Sequence, residues 1–242
     1  MGINILILAA GGQRAIDSEP SYPLCLVEIE GVTLLELIVR SLQDLENSHY
    51  TYAFLENDIV KFNLDKVASH LTPNSRAVKI QPGSKGSGST AFFSSSGFDP
   101  DNELLILSAN EIVRLNYAET LRDFRARSLD GGTLTFNSVH PRYSYVKTNS
   151  DGLVIEASQQ KQISTSATAG VFWYRKTRFF SESFKRLVFK NLSLNGQFFI
   201  APTFNEMILA GLKVGVMEIE KRDYTPLKDS SQHQQLGYGG QV

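Results

Sequence analysis

Residues 3–14 read Ile3-Asn4-Ile5-Leu6-Ile7-Leu8-Ala9-Ala10-Gly11-Gly12-Gln13-Arg14, and the interpretation of the chain turns on them. The six from Ile3 carry no charge and are mostly isoleucine or leucine, the composition of a parallel strand buried on both faces. The run stops at two alanines and two glycines, followed closely by a guanidinium. Small residues let a backbone approach a phosphate closely, and N–H groups in such a turn form an anion-binding concavity. A strand closed this way is a nucleotide-binding candidate. A plain tight strand-to-helix turn accounts for the same residues about as well.

Working outward, residues 15–22 are polar and mixed, as expected of a flexible loop over a site. Residues 23–29 resume an apolar stretch, closed by Glu30 and Gly31. Thr33 with Glu36 three positions on has the capping-box spacing. Leu34, Ile38, Leu42 and Leu45 then recur at helical intervals and predict a first amphipathic helix. A short strand is expected over 52–55. A second helix is expected from Asp58, with Val60, Leu64, Val67 and Leu71 on one face, and a third strand over 76–81. Strand and helix alternating in this way is the pattern of a doubly wound parallel sheet.

Residues 82–89, Pro-Gly-Ser-Lys-Gly-Ser-Gly-Ser, form a second glycine-rich loop, leading into a helix expected near Thr90. A flexible linker has such a composition too, but the position after a strand and before a helix favours a ligand loop at the carboxyl edge of a sheet. Leu104 to Leu107 read as the next buried strand, ending in Ser108-Ala109-Asn110-Glu111 where ligands and metals are usually held. A helix is expected from Tyr117 to about Arg127. Beyond Gly131 strands are expected over 132–139, 144–148 and 153–157, with Asp151-Gly152 as a hairpin turn. A strand over 169–174, helices over 179–190 and 199–209, and a strand over 213–219 follow. Residues 1–228 are read as one domain and 229–242 as a polar, poorly ordered tail.

Composition narrows the class. The 242 residues hold 24 basic and 25 acidic side chains, a net charge of −1, so no global field recruits nucleic acid or an anionic membrane. A single cysteine, Cys25, excludes an internal disulfide and suits a reducing compartment. The opening apolar run is too short for a signal segment or a membrane span, and a cytoplasmic protein is expected. The four histidines and one cysteine show no zinc-ligand spacing.

The chain resembles the nucleotidyltransferases that join a sugar phosphate, or a similar phosphate ester, to a nucleoside triphosphate. Leu8 to Arg14 resembles that family's Leu-Ala-Ala-Gly-x-Gly-x-Arg turn, one residue shorter. Residues 22–31 resemble its Pro-Lys-Pro-Leu-Ile-Glu-Ile-x-Gly segment, and residues 105–113 sit where it has an apolar strand ending in Asn-Gly-Asp. Residues 140–147, Ile163-Ser164 with 167–170, and 195–202 with Asn205-Glu206 resemble a bacterial branch associated with surface-polysaccharide biosynthesis. The resemblance implies a single Rossmann-like three-layer α/β domain with a mixed, mainly parallel central sheet. It implies transfer of a nucleotide to a phosphate ester with release of pyrophosphate, Mg²⁺ as cofactor, and no nucleic-acid or membrane partner.

The resemblance also assigns positions. Ala10, Gly11, Gly12, Gln13 and Arg14 would cradle the triphosphate, with Arg14 a catalytic cation. Gln81, Gly86 and Ser87 would hold the base, with Ser108 and Asn110 at the strand end. Tyr143, Gln159, Lys161, Asn195 and Gly196 would face the acceptor, Lys161 being a second catalytic cation. Asn110 and Glu111, with Asp223, are the metal candidates.

The chain departs from the family pattern at three places, the last of them a pair of residues. Leu24 stands where the family has lysine, and Asn110 where it has the magnesium-binding aspartate. Gln159 and Gln160 replace a Glu-Lys pair. A neutral amide binds Mg²⁺ weakly, because hard cations want carboxylate oxygen. An altered but active nucleotidyltransferase therefore stands beside a catalytically impaired relative that binds a nucleotide or sugar nucleotide, or acts as a partner subunit. A glycosyltransferase of similar topology is less favoured, since no Asp-x-Asp follows an apolar strand.

Overall fold

The structure, a computed structural model, describes residues 2–11, 22–29 and 31–227. The expected loop up to Ser21 and the tail from Asp229 lie outside them. In chain order, β1 (Ile3–Leu8) is followed by β2 (Glu28–Ile29), β3 (Val32–Thr33), α1 (Leu34–Ser41), β4 (Ser48–Leu55), α2 (Glu56–Phe62), α3 (Leu64–Leu71) and β5 (Arg76–Ile80). Next come α4 (Ser87–Ser94), β6 (Glu103–Ser108), β7 (Glu111–Val113), α5 (Tyr117–Ala126), β8 (Gly131–Asn137), β9 (Ser144–Thr148) and β10 (Val154–Gln159). The chain continues through β11 (Ser166–Tyr174), α6 (Thr177–Phe189), α7 (Thr203–Leu209), β12 (Val214–Glu218) and β13 (Tyr224–Pro226).

These elements build one α/β domain around a mixed nine-stranded sheet. β5, β4, β1 and β6 run parallel and adjacent, as the alternation of strands and helices predicts. β11 then pairs antiparallel with β6 along Val171–Tyr174, while β8 flanks its other side and carries β12. Below residue 171, β11 leaves β6 and meets β9 at Ala167. Gly170, at φ +65°, sits where the strand changes neighbour, a backbone setting that favours glycine.

β1 is buried on both faces, and its alternation divides the core. Ile3, Ile5 and Ile7 pack under α1, α3 and α5, with Leu35, Leu64 and Leu121 among their cluster. Leu6 faces α4, α6 and α7, with Ala91, Phe184 and Phe204 in that second cluster. Fully burying a side chain such as Ile5 or Leu6 contributes about 1.5–3 kcal/mol. Burial on both faces therefore places β1 at the centre of a three-layer arrangement.

Local signals decide several ends. The Thr33 hydroxyl accepts the Glu36 N–H at 3.3 Å, giving the expected N-cap of α1, while the Glu36 carboxylate pairs with Arg40 instead of reaching back. The helix expected from Asp58 is two helices. Asn63 adopts φ 51° and breaks it, which turns Val60 out to solvent at 73% exposure while Leu64 is buried. The helix expected over 199–209 begins only at Thr203, so Phe199 to Pro202 form a connecting segment. The strand expected over 52–55 extends to Ser48–Leu55. Among the described residues no helix is long and apolar enough to cross a membrane.

Candidate functional site

Parallel pairing puts the ends of β1 and β6 side by side, with Leu8 opposite Ser108. The Ala109 N–H donates to the Leu8 carbonyl at 2.9 Å, the end of the pairing between these two strands. The space between them is a cleft of about 550 Å³. Ala10 and Gly11 line it, as do Ser108 and Asn110, and Pro82, Gly83, Ser84, Gly86 and Ser87 complete that wall. Among the described residues nothing lies within 4 Å of where a Cβ on Gly11 would fall, so they leave its backbone open to close approach.

The 82–89 loop is pinned rather than loose. Thr90 Oγ1 donates to Ser84 Oγ at 3.0 Å, and the Gly86 N–H to the Ser84 carbonyl at 2.8 Å. The Phe198 N–H donates to the Lys85 carbonyl at 2.8 Å, and the Gly88 N–H to the Phe198 carbonyl at 2.9 Å. This clasp requires glycine. Gly86 has φ +93°, and a Cβ on it would lie 2.4 Å from the Phe198 oxygen. The second glycine-rich loop is thus a shaped wall, not a linker.

A second cavity of about 420 Å³ opens where β11 parts from β6. It shares Leu8, Ser87, Ser108, Asn110 and Phe199 with the first. Ser108 Oγ donates to Asn110 Oδ1 at 2.6 Å, which holds that amide at the junction of the two spaces. Tyr143, Gln159 and Gln160 line the second cavity, and Ser144 Oγ donates to Gln159 Oε1 at 2.5 Å. Glu111 lines it too.

Charge is unevenly placed. Among the described residues lining the first cleft there is no charged side chain, whereas the second cavity has Glu111 and Arg142. The buried Glu111 carboxylate accepts the Tyr224 hydroxyl at 2.6 Å and covers Gly170. Tyr224 stacks on Phe136 at 4.1 Å and meets Tyr143 edge-on. Burial, and then the adjacent Glu111 carboxylate, push the Tyr224 phenol far above its ordinary range, so it stays a donor. Burial also raises Tyr143, against an opposing pull from the Arg142 guanidinium.

Several expected residues fall elsewhere. Gly12, Gln13 and Arg14 lie outside the described residues. Gln81 is exposed, does not line the cleft, and donates its amide to the Glu56 carboxylate. Lys161, Asn195 and Gly196 are exposed and line neither cavity. Asp223 sits in the 3-10 turn Lys221–Asp223, its carbonyl accepting the Arg114 N–H, while it is Pro226 that stands opposite Glu111. Sequence reasoning missed Gln197 and Phe199, which line the first cleft.

The metal candidates are therefore not brought together. Asn110 Oδ1 accepts a hydroxyl, Glu111 accepts a phenol, and Asp223 is three register positions away. Among the described residues no group of three or more histidine, cysteine, aspartate or glutamate side chains is arranged to hold a metal ion. These residues do not fit Mg²⁺, a cation that asks for near-octahedral oxygen ligands.

No family model and no curated protein matches the chain. Solved structures do match its fold over nearly the full length. One is a nucleoside-diphosphate-sugar pyrophosphorylase from Vibrio cholerae, with a TM-score of 0.78 and 15% identity, covering 96% of this chain and 98% of that one. Another, assigned as a glucose-1-phosphate thymidylyltransferase from Bacillus anthracis and solved with sucrose, gives 0.77 and 13%, covering 97% and 94%. At such identities the likeness establishes a common fold.

Proposed function

We propose that the chain is a nucleotidyltransferase that joins the nucleoside monophosphate of a triphosphate to a sugar phosphate or similar ester, releasing pyrophosphate. The observation that supports this most is the meeting of two cavities at Ser108 and Asn110. In-line displacement needs the acceptor oxygen and the α-phosphorus at one point, and positioning supplies much of the rate. The nucleotide occupies the first cleft and the acceptor the second. The activities for which the two structural neighbours are named agree with this assignment.

In this reading the open backbone at Gly11 admits the phosphates, and Arg14 adds bidentate charge. Lys161 does not line the second cavity but follows its lining residue Gln160 in the chain, and from that exposed rim it meets the acceptor phosphate. Gly86 and Ser87 border the base, Asn110 holds the junction, and Tyr143 with Gln159 faces the acceptor. A cytoplasmic setting suits the buried thiol of Cys25, and surface-polysaccharide synthesis suits the activated sugar produced.

One observation favours a second reading. The described lining of the first cleft has no charged side chain, although triphosphate transfer calls for charge aimed at the phosphates. A protein that binds a nucleotide or sugar nucleotide without turnover, or serves as a partner subunit, has no such need.

The test is a thermal-shift screen of nucleoside triphosphates and sugar nucleotides, with and without Mg²⁺, followed by pyrophosphate release over a panel of sugar phosphates. A ligand at one hundred times its Kd adds about 2.7 kcal/mol of stability. Stabilisation with pyrophosphate release supports the enzyme, and stabilisation without release supports the binding protein. No stabilisation by any nucleotide ends both.

A further inference from the structure

The first cleft has a wall that its charge-poor lining makes conspicuous. Leu194 and Gln197 exchange main-chain hydrogen bonds, Gln197 N–H to Leu194 O at 3.0 Å and Leu194 N–H to Gln197 O at 2.9 Å. Asn195 at φ +52° and Gly196 at φ +74° close the two-residue turn between them, as a type I′ hairpin requires. The next residue, Phe198, is clasped to Lys85 and Gly88. Gln197 is therefore held on both sides, and its Cβ lies 3.1 Å from where a Cβ on Gly86 would stand. Gln197 lines the first cleft beside Gly86 and is absent from the second.

Resting on the assignment of the first cleft to a nucleotide, we propose that the Gln197 side-chain amide reads the nucleobase. Two observations and the chemistry of the group lead there. Gln81, the amide expected to hold the base, is turned to Glu56 and out of the cleft. The nearby hydroxyls of Ser84 and Thr90 are bonded to each other. An amide offers a donor and an acceptor side by side, the pairing that the edge of a base presents in complement. The Gln197 Cβ stands against Gly86, so it adjoins the loop that the nucleotide assignment gives to the base.

The test is equilibrium binding of nucleoside monophosphates bearing adenine, guanine, cytosine, uracil and thymine to the parent, Gln197→Ala, Gln197→Glu and Gln81→Ala. Gln197 is exposed, so the substitutions spare the core. Gln197→Ala should weaken the preferred base by about tenfold and level the ranking, a change of about 1.4 kcal/mol in binding. Gln197→Glu keeps only acceptors and should shift preference towards bases presenting an exocyclic amine. Pyrophosphate, competing through the phosphate positions alone, should bind all four proteins equally, and Gln81→Ala should keep the parental ranking. A Gln197→Ala protein with parental ranking and affinity overturns the role of Gln197. A parent that binds none of the monophosphates overturns the nucleotide assignment itself.

Discussion

The side-chain amide of Asn205 makes both main-chain hydrogen bonds of Ala157, accepting its N–H at Oδ1 and donating through Nδ2 to its carbonyl, each at 2.8 Å. Ala157 is on β10, an edge strand, and Asn205 on α7 stands in for a missing neighbour. The adjacent Glu206 is buried and holds the Lys190 ammonium at 2.9 and 3.0 Å. These two residues, part of the resemblance over 195–202 with Asn205-Glu206, join α7 to β10 and to α6 in the structure.

Asn205→Ala should therefore destabilise the fold by about 1–3 kcal/mol, since two buried main-chain groups lose their partners. Asn205→Asp should do the same, through the lost donor to the Ala157 carbonyl. Urea denaturation reads this directly, and an unchanged midpoint for both variants would count against the clamp.

Glu103 is a second node. Its carboxylate takes Arg125 at 2.7 and 2.6 Å and the Trp173 indole N–H at 3.3 Å. Glu103→Ala orphans a buried indole and frees a guanidinium whose side chain is already 43% exposed. The expected loss, discounted for that exposure, is about 1–3 kcal/mol. Trp173 is the single tryptophan, so its fluorescence should change in Glu103→Ala and less in Glu103→Gln. Identical spectra for all three proteins would refute the link.

Gly170 carries a steric constraint on the second cavity. A Cβ there would fall 1.7 Å from a Glu111 carboxylate oxygen, at φ +65°. Gly170→Ala should cost about 2–4 kcal/mol through strain and overlap together. Adding Glu111→Ala should recover part of that cost, because overlap goes and dihedral strain stays. Strict additivity in the double-mutant cycle would show that the two side chains do not meet.

Alkali should unfold the protein through its buried phenols. Burial lifts Tyr52 from 10.0 to about 12, and Tyr224 is lifted further. For these acids the folded state resists ionisation that the unfolded chain accepts. The stability is whole below pH 10 and falls as pH rises from there through 12. Stability curves taken across this window should decline, and a flat profile would contradict the burial of these rings.

Asn110→Asp, which keeps an acceptor for the Ser108 hydroxyl, should add Mg²⁺-dependent thermal stability at the cavity junction. Leu24→Lys is the natural companion, but Leu24 is 4% exposed and part of the core. The lysine should lower stability even where its ammonium finds the cleft. A double variant without Mg²⁺ response and without pyrophosphate release would argue against simple loss of ancestral charges.

What the amino-acid order determined by itself is what depends on near neighbours. The apolar run of β1, the Thr33 cap and the glycines between β5 and α4 are short-range signals, and each has its expected structural counterpart. Asn63 is a short-range case that misled, because helical periodicity continues across a residue that tolerates the left-handed conformation. The tertiary structure alone decided how residues distant along the chain meet. Gln197 enters the cleft because Phe198 bonds to Lys85 and Gly88, and Gln81 leaves it because Glu56 takes its amide. Main-chain donors and acceptors are the same in every residue but proline, so no side-chain pattern announces which loops will clasp. Only the packed sheet, by fixing the registers of β1, β6 and β11, brings those segments to one edge.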